Sequence, residues 1–175
     1  MVGFGTSASE EHLTQRLIVG VGDMAVSGDG VTTFSTYALG SCVGVVAFDP
    51  TNRVGGMLHV MLPDSAISAE KALVQPLIFA DTGVEHFLKS LKELGAELEH
   101  LKIVLAGGAS TMSSSDAFKI GEKNVAAVKQ KLTEYRLTPI AEELGGYTNR
   151  SLHFEMQKGR LQISLPDQKM EVDLS

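Results

Sequence analysis

The apolar positions change period along the chain, and each change marks a different kind of element. Near the C-terminus Leu152, Phe154 and Met156 alternate with polar neighbours, and Leu161, Ile163 and Leu165 do the same. Lys158-Gly159 lies between the two runs, a pattern that predicts an antiparallel hairpin. The N-terminal third is also of strand type. Leu17 to Val21 and Met24 to Val26 are short apolar runs broken at Gly22-Asp23, and the β-branched run Val31 to Thr36 follows the turn signal Ser27-Gly28-Asp29-Gly30. Cys42 to Phe48 and Val54 to Met61 flank Asp49-Pro50-Thr51-Asn52 and predict a second hairpin.

The middle of the chain shifts to helical spacing. Val84, Phe87, Leu88, Leu91 and Leu94 recur on one face, with Gly95 as a stop. Ala72 to Ala80 predicts a helix breaking at Pro76, and Val125, Val128, Leu132 and Tyr135 predict a further amphipathic helix. Between the helices Leu101 to Leu105 reads as a buried strand ending in Ala106-Gly107-Gly108, followed by a polar loop from Ser110 to Asp116. Another strand begins at Thr138 to Ala141. Strands at both ends and helices in the middle predict an α/β (α+β) fold: a single-domain layered sandwich of mixed, mostly antiparallel sheets covered by helices. Residues 1–15 are expected to form a mobile arm, 16–168 the domain and 169–175 a tail.

Composition narrows the function classes. The chain has 175 residues, 43% hydrophobic and 21% charged, which suits one globular domain with its own core. Its net charge of −6 gives no electrostatic footprint for nucleic acid. No run approaches the roughly 18 apolar residues of a membrane span, and Met1 to Ser7 lacks the basic and apolar regions of a signal peptide. A cytoplasmic location is therefore expected. The single cysteine excludes an intrachain disulfide. No pair of histidines has metal-ligand spacing with a carboxylate companion, so no metal is expected, and the candidate thiol chemistry calls for no other cofactor.

That cysteine carries the candidate chemistry. Gly40-Ser41-Cys42-Val43-Gly44 matches the spacing of a nucleophile elbow, in which glycines open the approach to the sulfur and spare backbone amides face a developing oxyanion. Gly40, Ser41, Val43 and Gly44 are the candidate cleft and oxyanion residues. His59 lies in the apolar run Met57 to Leu62, where a polar ring needs a partner. Folding the predicted hairpin about Asp49-Pro50 brings it back towards Cys42, where the ring is expected to hold the sulfur as thiolate. Thr36, six residues before the cysteine, reads equally as an ordinary strand threonine or as a hydrogen-bond partner that fixes the orientation of the ring. His86, His100 and His153 read as solvated, and His12 falls in the arm.

These segments resemble one family. Leu39 to Gly44, Gly55 to Pro63, Gly107-Gly108-Ala109 and Ile120-Gly121-Glu122-Lys123-Asn124-Val125 are similar to the blocks of the chemoreceptor glutamine deamidases (CheD), over about Val19 to Leu165. The resemblance implies a catalytic set of Cys42, His59 and Thr36 and a sandwich similar to the deamidase domain of cytotoxic necrotizing factor toxins. It also implies hydrolysis of glutamine side chains to glutamate and ammonia, through a thioester, on the cytoplasmic helices of methyl-accepting chemoreceptors. Glutamyl methyl esters are candidate second substrates. The partners implied are the receptor and a CheC-type phosphatase, and the alternative is a regulatory module that binds such a phosphatase with little turnover. Tyr37 and the run Gly145-Gly146-Tyr147-Thr148-Asn149-Arg150 depart from the family pattern.

Overall fold

The computed structural model describes residues 14–110 and 118–175. Ten strands form two five-stranded sheets among these residues. β1 (Arg16–Ile18), β3 (Thr33–Leu39), β8 (Arg150–Glu155), β9 (Arg160–Ser164) and β10 (Lys169–Asp173) make the outer sheet, in the order β1-β3-β8-β9-β10. β2 (Asp23–Ser27), β5 (Val54–Val60), β4 (Val43–Asp49), β6 (Lys102–Gly107) and β7 (Ala141–Leu144) make the central sheet, in the order β2-β5-β4-β6-β7. α2 (Ala80–Glu93) and α3 (Ile120–Glu134) cover the free face of the central sheet, and the short α1 (Ala69–Val74) precedes them. The result is a layered α+β sandwich of mixed sheets. Pairing is antiparallel except for β1 with β3 and β6 with β7, the latter joined by the crossover through α3.

The central sheet is buried on both faces, and its alternation sorts the core into two clusters. On β4 and β5, Val43, Val45, Ala47, Val54, Leu58 and Val60 face the helices with Val84, Phe87, Leu91 and Val128. Val46, Phe48 and Met57 face the outer sheet, where they meet Phe34, Leu152, Phe154 and Ile163. This explains why both strands read as continuous apolar runs without alternation. It also places every even-numbered residue of β4 and every odd-numbered residue of β5 in the seam between the sheets.

The chain crosses this seam four times within the described residues, and three crossings lie at one end. They are 19–22 between β1 and β2, 40–42 between β3 and β4, and 145–149 between β7 and β8. Glycine backbones knit that end together. Gly108 N–H donates to Cys42 O at 2.8 Å, Ala109 N–H to Gly40 O at 2.8 Å, and Ser110 N–H to Gly146 O at 2.9 Å. Gly107, at φ +112°, has no room for a side chain because a Cβ would strike Cys42 O. Arg150, almost fully buried, closes the third crossing with a bidentate pair to Glu143 and a bond to Thr148 O. The β3–β8 register shifts between Thr36 and Leu39, so three steps on β3 oppose two on β8, and Ala38 takes the left-handed conformation at φ 57°. The bulge lets Thr36 and Leu39 both point into the seam.

Several expectations are revised. The tail at 169–175 is instead β10 with Leu174 buried, an edge strand whose Met170, Val172 and Leu174 alternate with charged residues. The strand-like residues 17–26 split between two sheets because the chain crosses at 19–22. Neither the N-terminal 13 residues of the expected arm nor most of the polar loop at 110–116 falls within the described residues.

Gly121 offers a test of how tightly α3 is seated. A Cβ there would stand 2.5 Å from Ala109 O and 2.6 Å from Gly108 O, both backbone atoms. Alanine favours helix over glycine by about 1 kcal/mol, yet Gly121→Ala is expected to lose about 1–3 kcal/mol through overpacking. Urea denaturation would measure it, and an unchanged or raised midpoint would contradict the close approach.

Candidate active site

At the stitched end of the seam, residues from both sheets meet. Thr36 points inward from the outer sheet, beside Phe34 in the inward alternation of β3, and His59 points towards it from β5. Thr36 Oγ1 lies 2.8 Å from His59 Nδ1 and 2.6 Å from Val19 O, and all three residues are buried. The hydroxyl has one proton, and the Val19 carbonyl can only accept it. The oxygen therefore accepts from the ring, so Nδ1 carries the ring proton and Nε2 carries the lone pair. Nε2 is itself buried and has no hydrogen-bond partner among the described residues.

Cys42 stands at the crossing that enters β4. Gly44, two residues further on, is directly opposite His59 in the β4–β5 ladder. Cys42 shares the seam face with Gly44 and is a diagonal neighbour of His59, about 7–8 Å away between Cα atoms in regular antiparallel geometry. It packs at the margin of the inter-sheet core and is partly exposed. No hydrogen bond joins its sulfur to His59.

Burial sets the charge state of the pair. It pushes the Cys42 thiol up, against the opposing effect of the residue's own N–H beside Sγ, and it pushes His59 down to about 4. The pair therefore rests as thiol and neutral imidazole. Burial thus disfavours the thiolate that the sequence led one to expect.

The glycines of the expected elbow act through space more than through backbone angle. Gly44 lies in regular strand, where a Cβ would come within 2.8 Å of Leu152 Cδ1 and 2.9 Å of Leu39 Cδ1. The left-handed residue of the segment is Ala38. Gly40 N–H is committed to Ala38 O at 2.9 Å, and Val43 and Gly44 sit within the ladder. The N–H groups of Ser41 and Cys42 have no main-chain acceptor among the described residues.

Two participants escaped the sequence reading. Val19 contributes only a carbonyl, which leaves no side-chain signal. Asn124 is fully buried on α3 and donates from Nδ2 to Ser41 O and to Met61 O, each at 2.9 Å. Its signal was visible: a polar residue in the buried stripe Gly121, Asn124, Val128 and Leu132. Elsewhere, His86 and His153 are exposed, whereas His100 is half-buried beside Asp49. Glu97, Glu99 and His100 bring ligand atoms within 4.8 Å of one another, with both glutamates exposed. A concavity of about 470 Å³, lined partly by Lys92, Glu97, Tyr135 and Arg136, shares no residue with the seam site.

The family model described as CheD chemotactic sensory transduction matches residues 61–165. A probable chemoreceptor glutamine deamidase CheD 2 of Anaeromyxobacter dehalogenans is 43% identical over 150 residues, 86% of this chain and 94% of that relative. This chain belongs to the CheD family. Two further CheD relatives span similar lengths. The chemoreceptor glutamine deamidase CheD of Thermotoga maritima is 41% identical, over 85% of this chain and 90% of its own. A probable CheD of Pyrococcus abyssi is 37% identical, over 86% and 92%. No helix among the described residues is long and apolar enough to cross a membrane.

The neutral resting pair predicts how the sulfur titrates. The rate of Cys42 alkylation by iodoacetamide should rise with pH around a midpoint above about 8.5, the ordinary cysteine value. A midpoint below 7 would reveal a stable thiolate–imidazolium pair and contradict the burial argument.

Proposed function

We propose that this chain is a protein-glutamine deamidase that converts glutamine side chains of chemoreceptor cytoplasmic helices to glutamate. Membership of the CheD family supports the reaction class, since its curated relatives are named for it. The observation that carries the mechanism is the buried relay from Val19 O through Thr36 to His59, which leaves an unprotonated Nε2 on the face shared with the only cysteine.

In this mechanism Nε2 takes the thiol proton as sulfur forms its bond to the amide carbonyl carbon. With a ring that favours its neutral form, proton transfer and C–S bond formation proceed together, and the imidazolium exists only beside the negative oxygen it helps to balance. Nε2–H then gives its proton to the departing nitrogen, and ammonia leaves a thioester. The same nitrogen activates water to release glutamate. Thr36 holds the tautomer throughout, and Ser41 and Cys42 supply spare N–H groups near the developing oxyanion. Glutamyl methyl esters fit the same acyl chemistry. A side chain presented by a protein surface needs a narrow slot, which agrees with a half-buried sulfur at the mouth of a seam.

A receptor cytoplasmic fragment should gain about 1 Da per modified glutamine with wild type and nothing with Cys42→Ala, as nucleophilic deamidation requires. Thr36→Val should retain the sulfur and lose about 10²-fold or more in kcat. Equal conversion by wild type and Cys42→Ala would remove the reading; binding of a phosphatase homologue without conversion would favour the regulatory module.

The acid limb gives an independent check. His59 is held below its ordinary value, so it remains an unprotonated base until the pH falls towards about 4. kcat/KM should hold between pH 8 and 6 instead of falling through about 6.5, the ordinary histidine value. A limb centred at 6.5 would contradict the buried neutral ring.

A further inference from the structure

We infer that Asn124 is a positioning residue that turns the Ser41–Cys42 peptide so that the Cys42 N–H faces the reacting carbonyl as an oxyanion donor. This rests on the acyl-transfer reading above and names the part of the fold that builds its oxyanion site. α3 lies on the helix side of the central sheet, whereas Cys42 packs on the seam side. Asn124 Nδ2 binds Ser41 O from the helix side at 2.9 Å. The peptides of the described chain are trans, so Cys42 N–H points the opposite way from Ser41 C=O, into the seam. It has no main-chain acceptor among the described residues.

The second bond of the same amide fixes the other half of the site. Asn124 Nδ2 also binds Met61 O, two residues beyond His59. One planar group thus ties the nucleophile's peptide to the end of the strand that carries the base. Its orientation is settled by its partners: rotating the amide would set Oδ1 against two carbonyl oxygens. Oδ1 is buried and has no hydrogen-bond partner among the described residues. Asn124 reaches them because Gly121, one turn earlier, lets α3 rest on Gly108 and Ala109.

The test separates two reactions of the same sulfur. With p-nitrophenyl acetate, Sγ bonds to the acetyl carbon, its proton passes to His59 Nε2, and p-nitrophenolate leaves with the C–O electron pair. A negative carbonyl oxygen forms on the way. With iodoacetamide, Sγ displaces iodide from a saturated carbon and no oxyanion forms. The ratio of acetylation to alkylation of Cys42, each located by mass spectrometry, therefore reports the oxyanion site.

In wild type this ratio should exceed that of N-acetylcysteine by about 100-fold or more. Asn124→Leu and Asn124→Asp should bring it down towards the free-thiol value, with alkylation within about threefold of wild type, as loss of one donor predicts. The aspartate variant matches asparagine in size and supplies the measurement if the leucine variant does not fold. A folded variant that keeps the wild-type ratio, a parallel fall of both rates, or a wild-type ratio equal to that of the free thiol would overturn the inference. Because the assay uses no receptor, failure of glutamine conversion with the expected ratios would strike only the receptor reading. Intact conversion with unchanged ratios would strike only the role of Asn124.

Discussion

The hydrogen bond between Thr36 and His59 is the contact on which the site depends, because its two ends belong to different sheets. Neither sheet alone can orient the ring. The outer sheet supplies a hydroxyl already engaged with Val19 O, and the central sheet supplies the imidazole. Their alignment therefore requires the sheets to pack in one register. The large apolar residues between them, Phe34, Phe48, Met57, Leu152 and Phe154, hold that register through close packing. Core and chemistry are thus coupled: whatever loosens the seam also loosens the base.

Placing the pair at the buried margin of the seam has an electrostatic result. Desolvation disfavours both charged forms, which raises the thiol and lowers the ring. An exposed ion pair would offer a better nucleophile at rest and would also react with any passing electrophile. In the proposed mechanism the sulfur becomes strongly nucleophilic only as its proton moves to Nε2 and a carbonyl oxygen takes up negative charge nearby. Unpaired amides for that oxygen occur only where the ladder is interrupted, and Cys42 stands at such an interruption, one residue before β4.

Much of this was legible in the sequence, for identifiable reasons. Alternation in β8 and β9 and the helical spacing of α2 are direct consequences of one-sided burial, so these elements were readable. The hairpin of β4 and β5 follows from its central turn, which placed Cys42 and His59 on neighbouring strands. The partition into two sheets was not readable, because residues 17–26 carry strand character on both sides of a crossing and nothing local says which ladder each half joins. β10 and the residue after it show alternation at Met170, Val172 and Leu174, but so short a run at the end of the chain reads as a tail. In the site, Cys42 and His59 stood out by type and context and Thr36 through the family resemblance, whereas Val19 acts through a carbonyl and Asn124 showed only as a polar residue in a buried helical stripe, its partners unspecified. The resting charge state depends on burial depth, which a motif does not specify.

The bulge in β3 carries a last consequence, for how this segment can vary. Tyr37 and Ala38 are exposed, so the chemistry of Tyr37 is free to change, and Ala38 is limited chiefly by its left-handed backbone. The number of residues is not free. Removing one between Thr36 and Leu39 would restore simple alternation and rotate either the hydroxyl away from the ring or Leu39 out of the packed layer. Homologous chains should therefore tolerate substitutions here and refuse single-residue gaps, so that spacing is under stronger selection than side-chain identity.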